Sequence, residues 1–161
     1  MKRAIPCLFV ACLLSIGCEG NAAVGGDYTI NITNGQNGCM TEDWTVGDTT
    51  SGITLDVRQD DDQVQLDVQG AGGAYLDFVV GSSIFNGQVS GEEITASLIG
   101  SRAYSGGGCT WTLTVDLDAR VNGDFMEGTL TYRAVTNMHP DCGVAETCRN
   151  IQSFNGSRPP P

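Results

Sequence analysis

Between residues 109 and 118 the chain reads CTWTLTVDLD: Cys109, Trp111, Leu113, Val115 and Leu117 alternate with Thr110, Thr112, Thr114, Asp116 and Asp118. Successive side chains of a strand point to opposite faces, so a period of two gives a strand with one apolar and one wet face. The same alternation runs through Ile53, Leu55 and Val57, then Val64, Leu66 and Val68. It returns at Ile94, Ala96 and Leu98, and at Met126, Gly128, Leu130, Tyr132 and Ala134. Helix-period patterns are missing. Strands of this kind bury their apolar faces either by packing two sheets together or by closing one sheet on itself.

Turn residues separate the runs, and VNGD (121–124) carries the Asn-Gly pair favoured in tight hairpins. The segments VRQDDDQVQL (57–66), VSGEEITASL (89–98) and VNGDFMEGTL (121–130) align without gaps at a spacing of 32. Each reads as a hairpin turn entering a strand. A unit of this length holds two strands, and four units fill about residues 28 to 156. The expected fold is all-β, a single antiparallel up-and-down β-barrel of about eight strands, with a two-sheet β-sandwich as the alternative. Local connections favour the barrel, which leaves no unpaired edge. The glycine-rich stretches GAGGA (70–74) and SGGGC (105–109) read as inter-strand loops: neither opens a helix, and no Lys follows as in a phosphate-cradling loop. Trp44, Trp111, Tyr75, Phe78, Phe85 and Phe125 are expected to fill the interior. In a wide barrel some of them would line an apolar cavity, an architecture that resembles lipocalin-like carriers without their G-x-W signature.

The chain opens with Met1-Lys2-Arg3 and the fourteen-residue apolar stretch AIPCLFVACLLSIG, short of the roughly 20 residues that span a bilayer. This reads as an export signal. LSIGC, ending at Cys18, resembles the lipobox of bacterial lipoproteins, with Gly17 at −1, Ile16 at −2, and Ser15 at −3 where Leu is usual. The resemblance implies cleavage before Cys18, lipid on that cysteine, and attachment to the membrane through it. Glu19 at the next position implies the outer membrane under the enterobacterial sorting rule. An ordinary signal peptidase cutting near Ala22 or Ala23 would instead release a secreted soluble protein. The expected organisation is a signal peptide (1–17), a lipidated N-terminus and tether (18–26), the barrel or sandwich domain (27–156) and a disordered tail (157–161).

Cys7 and Cys12 leave with the signal. Cys39, Cys109, Cys142 and Cys148 remain, an even set that reads as two disulfides in an oxidising compartment. Four cysteines allow three pairings; Cys142–Cys148, closing a short loop, and Cys39–Cys109, joining distant strands, are the expected ones. A zinc site lacks any CxxC or nearby histidine. Once Lys2 and Arg3 are gone, six Arg face nineteen Asp and Glu, a formal charge of −13 that disfavours nucleic acid.

No catalytic signature stands out. His139, the single histidine, and Asp141 are the candidate catalytic pair, yet no G-x-S-x-G elbow supplies a nucleophile. Asp60, Asp61 and Asp62 are the candidate metal ligands, but lack EF-hand spacing and sit where a hairpin tip is expected. Glu92-Glu93 and Asp116/Asp118 are considered as glycosidase carboxylates; the first pair falls in a turn and the second on one strand face. No cofactor is expected. The function expected from the sequence is a non-enzymatic envelope lipoprotein, a binding or interaction module for an envelope protein or a small apolar ligand. The alternative is a hydrolase acting on envelope or extracellular material.

Overall fold

The computed structural model describes residues 20–160. The signal peptide and Cys18 lie outside the described residues. Eight strands form one closed antiparallel barrel in sequential order: β1 (Gly26–Asn37), β2 (Thr49–Asp60), β3 (Gln63–Val68), β4 (Ile84–Ser90), β5 (Glu93–Gly106), β6 (Cys109–Asn122), β7 (Phe125–Thr136) and β8 (Asn150–Ser157). β1 closes the barrel on β8, with Ile32 opposite Phe154. The up-and-down barrel is therefore the architecture, and the sandwich is not.

The alternation read from the sequence is the in-and-out pattern of the wall. Leu55, Val57, Val64, Leu66, Ile94, Leu98, Val115, Leu117, Met126 and Leu130 all point inward and are buried. Their outward neighbours include Asp56, Gln65, Asp116, Asp118 and Arg133. An apolar interior inside a polar wall is the reverse of a membrane-spanning barrel. Small inward residues let the strands coil: a side chain on Gly128 would meet the Asp118 carbonyl at 2.3 Å and the Phe154 ring at 2.8 Å. Phe154 crosses the interior over that bare backbone.

The repeat appears as three tight hairpins at one end, the base. Their central residues are Asp61-Asp62, Gly91-Glu92 and Gly123-Asp124, each opening on a positive φ (54°, 61° and 61°). The second and third turns keep the spacing of 32. The first comes two residues later along its unit, a shift that preserves which face each side chain takes.

Two segments depart from the expected tether and tail. Val24, placed in the tether by sequence, is fully buried. Residues 21–25 run across the base: Asn21 Oδ1 accepts the Gly91 N–H at 3.0 Å, and the Ala22 N–H donates to the Gly91 carbonyl at 2.8 Å. Gln59 holds the same segment from both sides, accepting the Val24 N–H and donating to the Ala22 carbonyl. At the other terminus Ser157 still pairs with Thr29 and Phe125. Arg158 donates to Asp124 Oδ1 and to the Ala23 and Gly25 carbonyls, and lies over the Tyr28 ring. Residues 21–25 and 157–158 are part of the fold because an open barrel end leaves apolar side chains and carbonyls to be covered.

The opposite end, the mouth, carries the longer connections. One is a helix, α1 (Gly70–Val79), formed by the GAGGA stretch expected to be a loop. Glycine is a poor helix former, so packing holds it. Gly73 lies so close to β3 that a side chain there would sit 2.0 Å from the Val68 carbonyl, and Leu76 is turned into the core. Gly81, at φ 93°, ends the helix with its N–H on the Leu76 carbonyl.

The disulfides also sit at the mouth, and their pairing corrects the expected one: Cys39–Cys148 and Cys109–Cys142. Closure of the barrel is the reason. β1 and β8 are neighbours, with Asn37 opposite Asn150, so Cys39 emerges beside Cys148. β6 and β7 are neighbours, so Cys109 meets Cys142 in the 3₁₀ segment Pro140–Glu146 that follows β7. A Cys39–Cys109 bond would have to join β1 to β6, which are not adjacent.

Candidate ligand-binding cavity

The base half of the interior is filled by Tyr28, Leu66, Ile94, Met126 and their neighbours. Toward the mouth the inward side chains stop short of one another and leave a cavity of about 480 Å³. Its walls are Ile30 and Ile32 of β1, Leu55 of β2, Phe85 of β4, Leu117 of β6, Leu130 of β7 and Phe154 of β8. It opens between the start of β2 (Thr50 to Ile53) and the first turn of α1 (Gly70 to Gly72), with Tyr75 at the rim. The helix glycines matter here: a side chain at Gly72 would press on Val68 and Ile53 at 3.3 and 3.4 Å, narrowing the opening.

Two polar side chains enter this apolar space from adjacent strands. Tyr132 and Gln152 both lie on inward registers of β7 and β8. The Tyr132 hydroxyl donates to Gln152 Oε1 at 2.7 Å, and Gln152 Nε2 donates to Asn34 Oδ1 at 2.7 Å. Burial pushes the Tyr132 phenol well above its ordinary value, and nearby Tyr75 adds to the shift, so Tyr132 is a neutral hydrogen-bonding group. Trp44 packs edge-on against its ring, centroids 6.0 Å apart, and donates its indole N–H to the Gly35 carbonyl.

The sequence candidates lie elsewhere. His139 and Asp141 are on the outer loop at the mouth, side chains 47% and 53% exposed, with Nδ1 and Oδ2 3.5 Å apart. The ring packs on Gly108, and Nδ1 accepts the Asp141 backbone N–H. Among the described residues no hydroxyl or thiol hydrogen-bonds to it. Their geometry is that of a loop cap, with Asp141 also taking the Gly108 N–H. Asp60, Asp61 and Asp62 are exposed at a base hairpin, and no three potential ligand side chains converge among the described residues. Asp116 pairs with Arg133 on the outer wall and Glu92 with Arg120 at a base turn, so neither faces a second carboxylate across a cleft.

Of the six aromatics expected inside, Phe85 is buried against the cavity. Tyr75 and Phe78 are 65% and 70% exposed on α1, because their segment is a helix and not a strand. The Arg102 guanidinium lies over the Phe78 ring, 5.4 Å from its centroid. Trp44 caps from a loop, Trp111 stacks on Tyr104, and Phe125 is half-exposed at a base turn.

Gln152 was missed by the sequence reading, although a signal exists. In NIQSFNGS it shares the inward register with Asn150, Phe154 and Gly156, and polar side chains among apolar ones on an inward register are the kind of placed polar groups that binding sites use. No protein-family model matches this chain, no curated protein is similar to it, and no solved structure matches it.

Proposed function

We propose that the protein is a non-enzymatic binding module of the bacterial envelope, anchored by lipid on Cys18 and holding a small apolar ligand in the barrel cavity. The observation that carries the binding reading is the cavity itself: about 480 Å³ of apolar-walled space with two convergent polar groups and a mouth of its own. Sites of this size, mostly apolar with a few placed polar groups, are the usual form of small-molecule sites.

The base supports the anchoring reading. Cleavage near Ala22 or Ala23 would cut away Asn21 and Ala22, both hydrogen-bonded into the fold; cleavage before Cys18 keeps them. Only Glu19 and Gly20 separate Cys18 from Asn21, a reach of about 10 Å at roughly 3.5 Å per residue. An anchor there holds the base against the bilayer and turns the mouth away from it, toward arriving ligand. Multiple acyl chains make such attachment lasting.

Titration with N-phenylnaphthylamine, a neutral dye that brightens in apolar surroundings, tests the binding reading. Wild type brightens it with one-to-one stoichiometry. Ile53→Trp, which fills the mouth beside Gly72, abolishes the signal while keeping the β circular-dichroism spectrum. Undiminished binding by the folded variant would place the dye outside the cavity and refute the reading. For the anchor, intact mass of the membrane fraction shows a diacylglyceryl adduct on wild type that Cys18→Ala lacks. A mature chain starting near Ala23 or Val24 overturns it.

A further inference from the structure

We infer that the cavity selects an uncharged, compact, largely apolar molecule carrying one hydrogen-bonding group, which seats against Tyr132 and Gln152. This rests on the binding reading above and names the chemical class of its ligand.

The absence of charge in the lining is the first ground. Among the residues that line the cavity, none is Asp, Glu, Lys, Arg or His. A carboxylate or ammonium entering it would shed its water with no counter-charge to replace it, and an isolated ion in such a place is strongly disfavoured. The acidic surface, −13 in formal charge once the signal is removed, further opposes an anion at the mouth. A free fatty acid is therefore the wrong ligand, although an acyl chain would suit the walls.

The second ground is where the polar groups sit. Thr50, Ser51, Thr54, Gln69 and Tyr75 also line the cavity but are exposed, and water serves their polar groups. Deeper, Tyr132 and Gln152 are the polar side chains among the lining residues. Tyr132 spends its one proton on Gln152, and Gln152 spends one of its two N–H groups on Asn34. What is left for a ligand is the second Gln152 N–H and the lone pairs of the Tyr132 oxygen. A neutral hydroxyl satisfies both, accepting from the amide and donating to the phenol. The third ground is size. At about 480 Å³ the cavity lies toward the lower end of the range of small-molecule sites, enough for a substituted ring or a single short chain and too little for a two-chain phospholipid.

Calorimetric titration of the purified protein with three matched probes at neutral pH tests this: para-butylphenol, butylbenzene and para-butylbenzoate. The phenol is expected to bind at least fivefold tighter than the hydrocarbon, and the benzoate at least tenfold weaker than the phenol. The double variant Tyr132→Phe/Gln152→Leu, its fold checked by the β circular-dichroism spectrum, is expected to bring the phenol within twofold of butylbenzene, because either single variant leaves its partner free to hydrogen-bond the ligand. Benzoate binding as tightly as the phenol overturns the charge selection and leaves the binding reading standing. A phenol preference that survives in the folded Tyr132→Phe/Gln152→Leu variant overturns the assignment of the polar seat. Failure of all three probes overturns the binding reading together with this one.

Discussion

Cys39–Cys148 is the covalent staple of the seam where β1 meets β8, and its removal gives the sharpest test of barrel closure. The bond joins residues 109 apart in sequence. Tying a loop of that length restricts the unfolded chain by about 4.8 kcal/mol at 25 °C on the chain-entropy relation. Both cysteines are only partly buried, so replacing them by Ala removes little packing and the loop term dominates. The Cys142–Cys148 bond expected from sequence would close a loop of six and contribute about 2.2 kcal/mol on the same relation. Urea unfolding of Cys39→Ala/Cys148→Ala, followed by tryptophan fluorescence and circular dichroism, should therefore lose about 5 kcal/mol against wild type. The slope with denaturant should steepen, because the released unfolded chain exposes more surface. A loss of 2 kcal/mol or less, or free thiols at Cys39 and Cys148 in wild type, would refute the reasoning.

Gly128→Val drives a branched side chain into the Asp118 carbonyl and the Phe154 ring; the expected cost is about 3 kcal/mol or more, in the range of severe overpacking, read by thermal unfolding. Arg158→Met keeps the stem and removes the guanidinium that clamps residues 23–25 to the base. It should lose about 2 kcal/mol and make the N-terminal segment sensitive to limited proteolysis, and wild-type resistance would count against the clamp. Tyr132 and Tyr28 both have phenols raised by burial. The unfolded chain therefore releases those protons first, so stability holds below about pH 10 and falls as pH rises above it. Tyr132→Phe should flatten that alkaline slope in a pH series of urea midpoints, and an unchanged slope would contradict the burial of its hydroxyl.

The strands were legible because a half-buried wall imposes a period of two on the sequence, and nothing in Ile94-Thr95-Ala96-Ser97-Leu98 competes with it. The base turns were legible for a similar reason: Gly91 and Gly123 occupy positions of positive φ. What was hidden depends on the barrel being closed. GAGGAYLDFV has neither strand alternation nor helix propensity, and becomes a helix only where Gly73 and Leu76 meet the rim of β3. The cysteine pairing was hidden likewise, since Cys39 and Cys148 are neighbours only once the first and last strands join. The polar pair of the cavity lies between the two cases. Tyr132 and Gln152 sit on readable inward registers, but that they are diagonal neighbours within hydrogen-bond reach follows from β7–β8 pairing, Leu130 opposite Gln152 and Tyr132 opposite Asn150.

The claim that the barrel interior near the mouth is a ligand site is tested most directly by methyl-resolved NMR of the protein titrated with para-butylphenol. Ile53, Leu117 and Leu130 line the cavity, whereas Val57, Val64 and Val121 are buried away from it toward the base. Saturable shifts in the first three, with the base valines still, are the expected result. Shifts limited to exposed Met40, Met138 and Val144 on the outer loops, or none at millimolar probe, would contradict it.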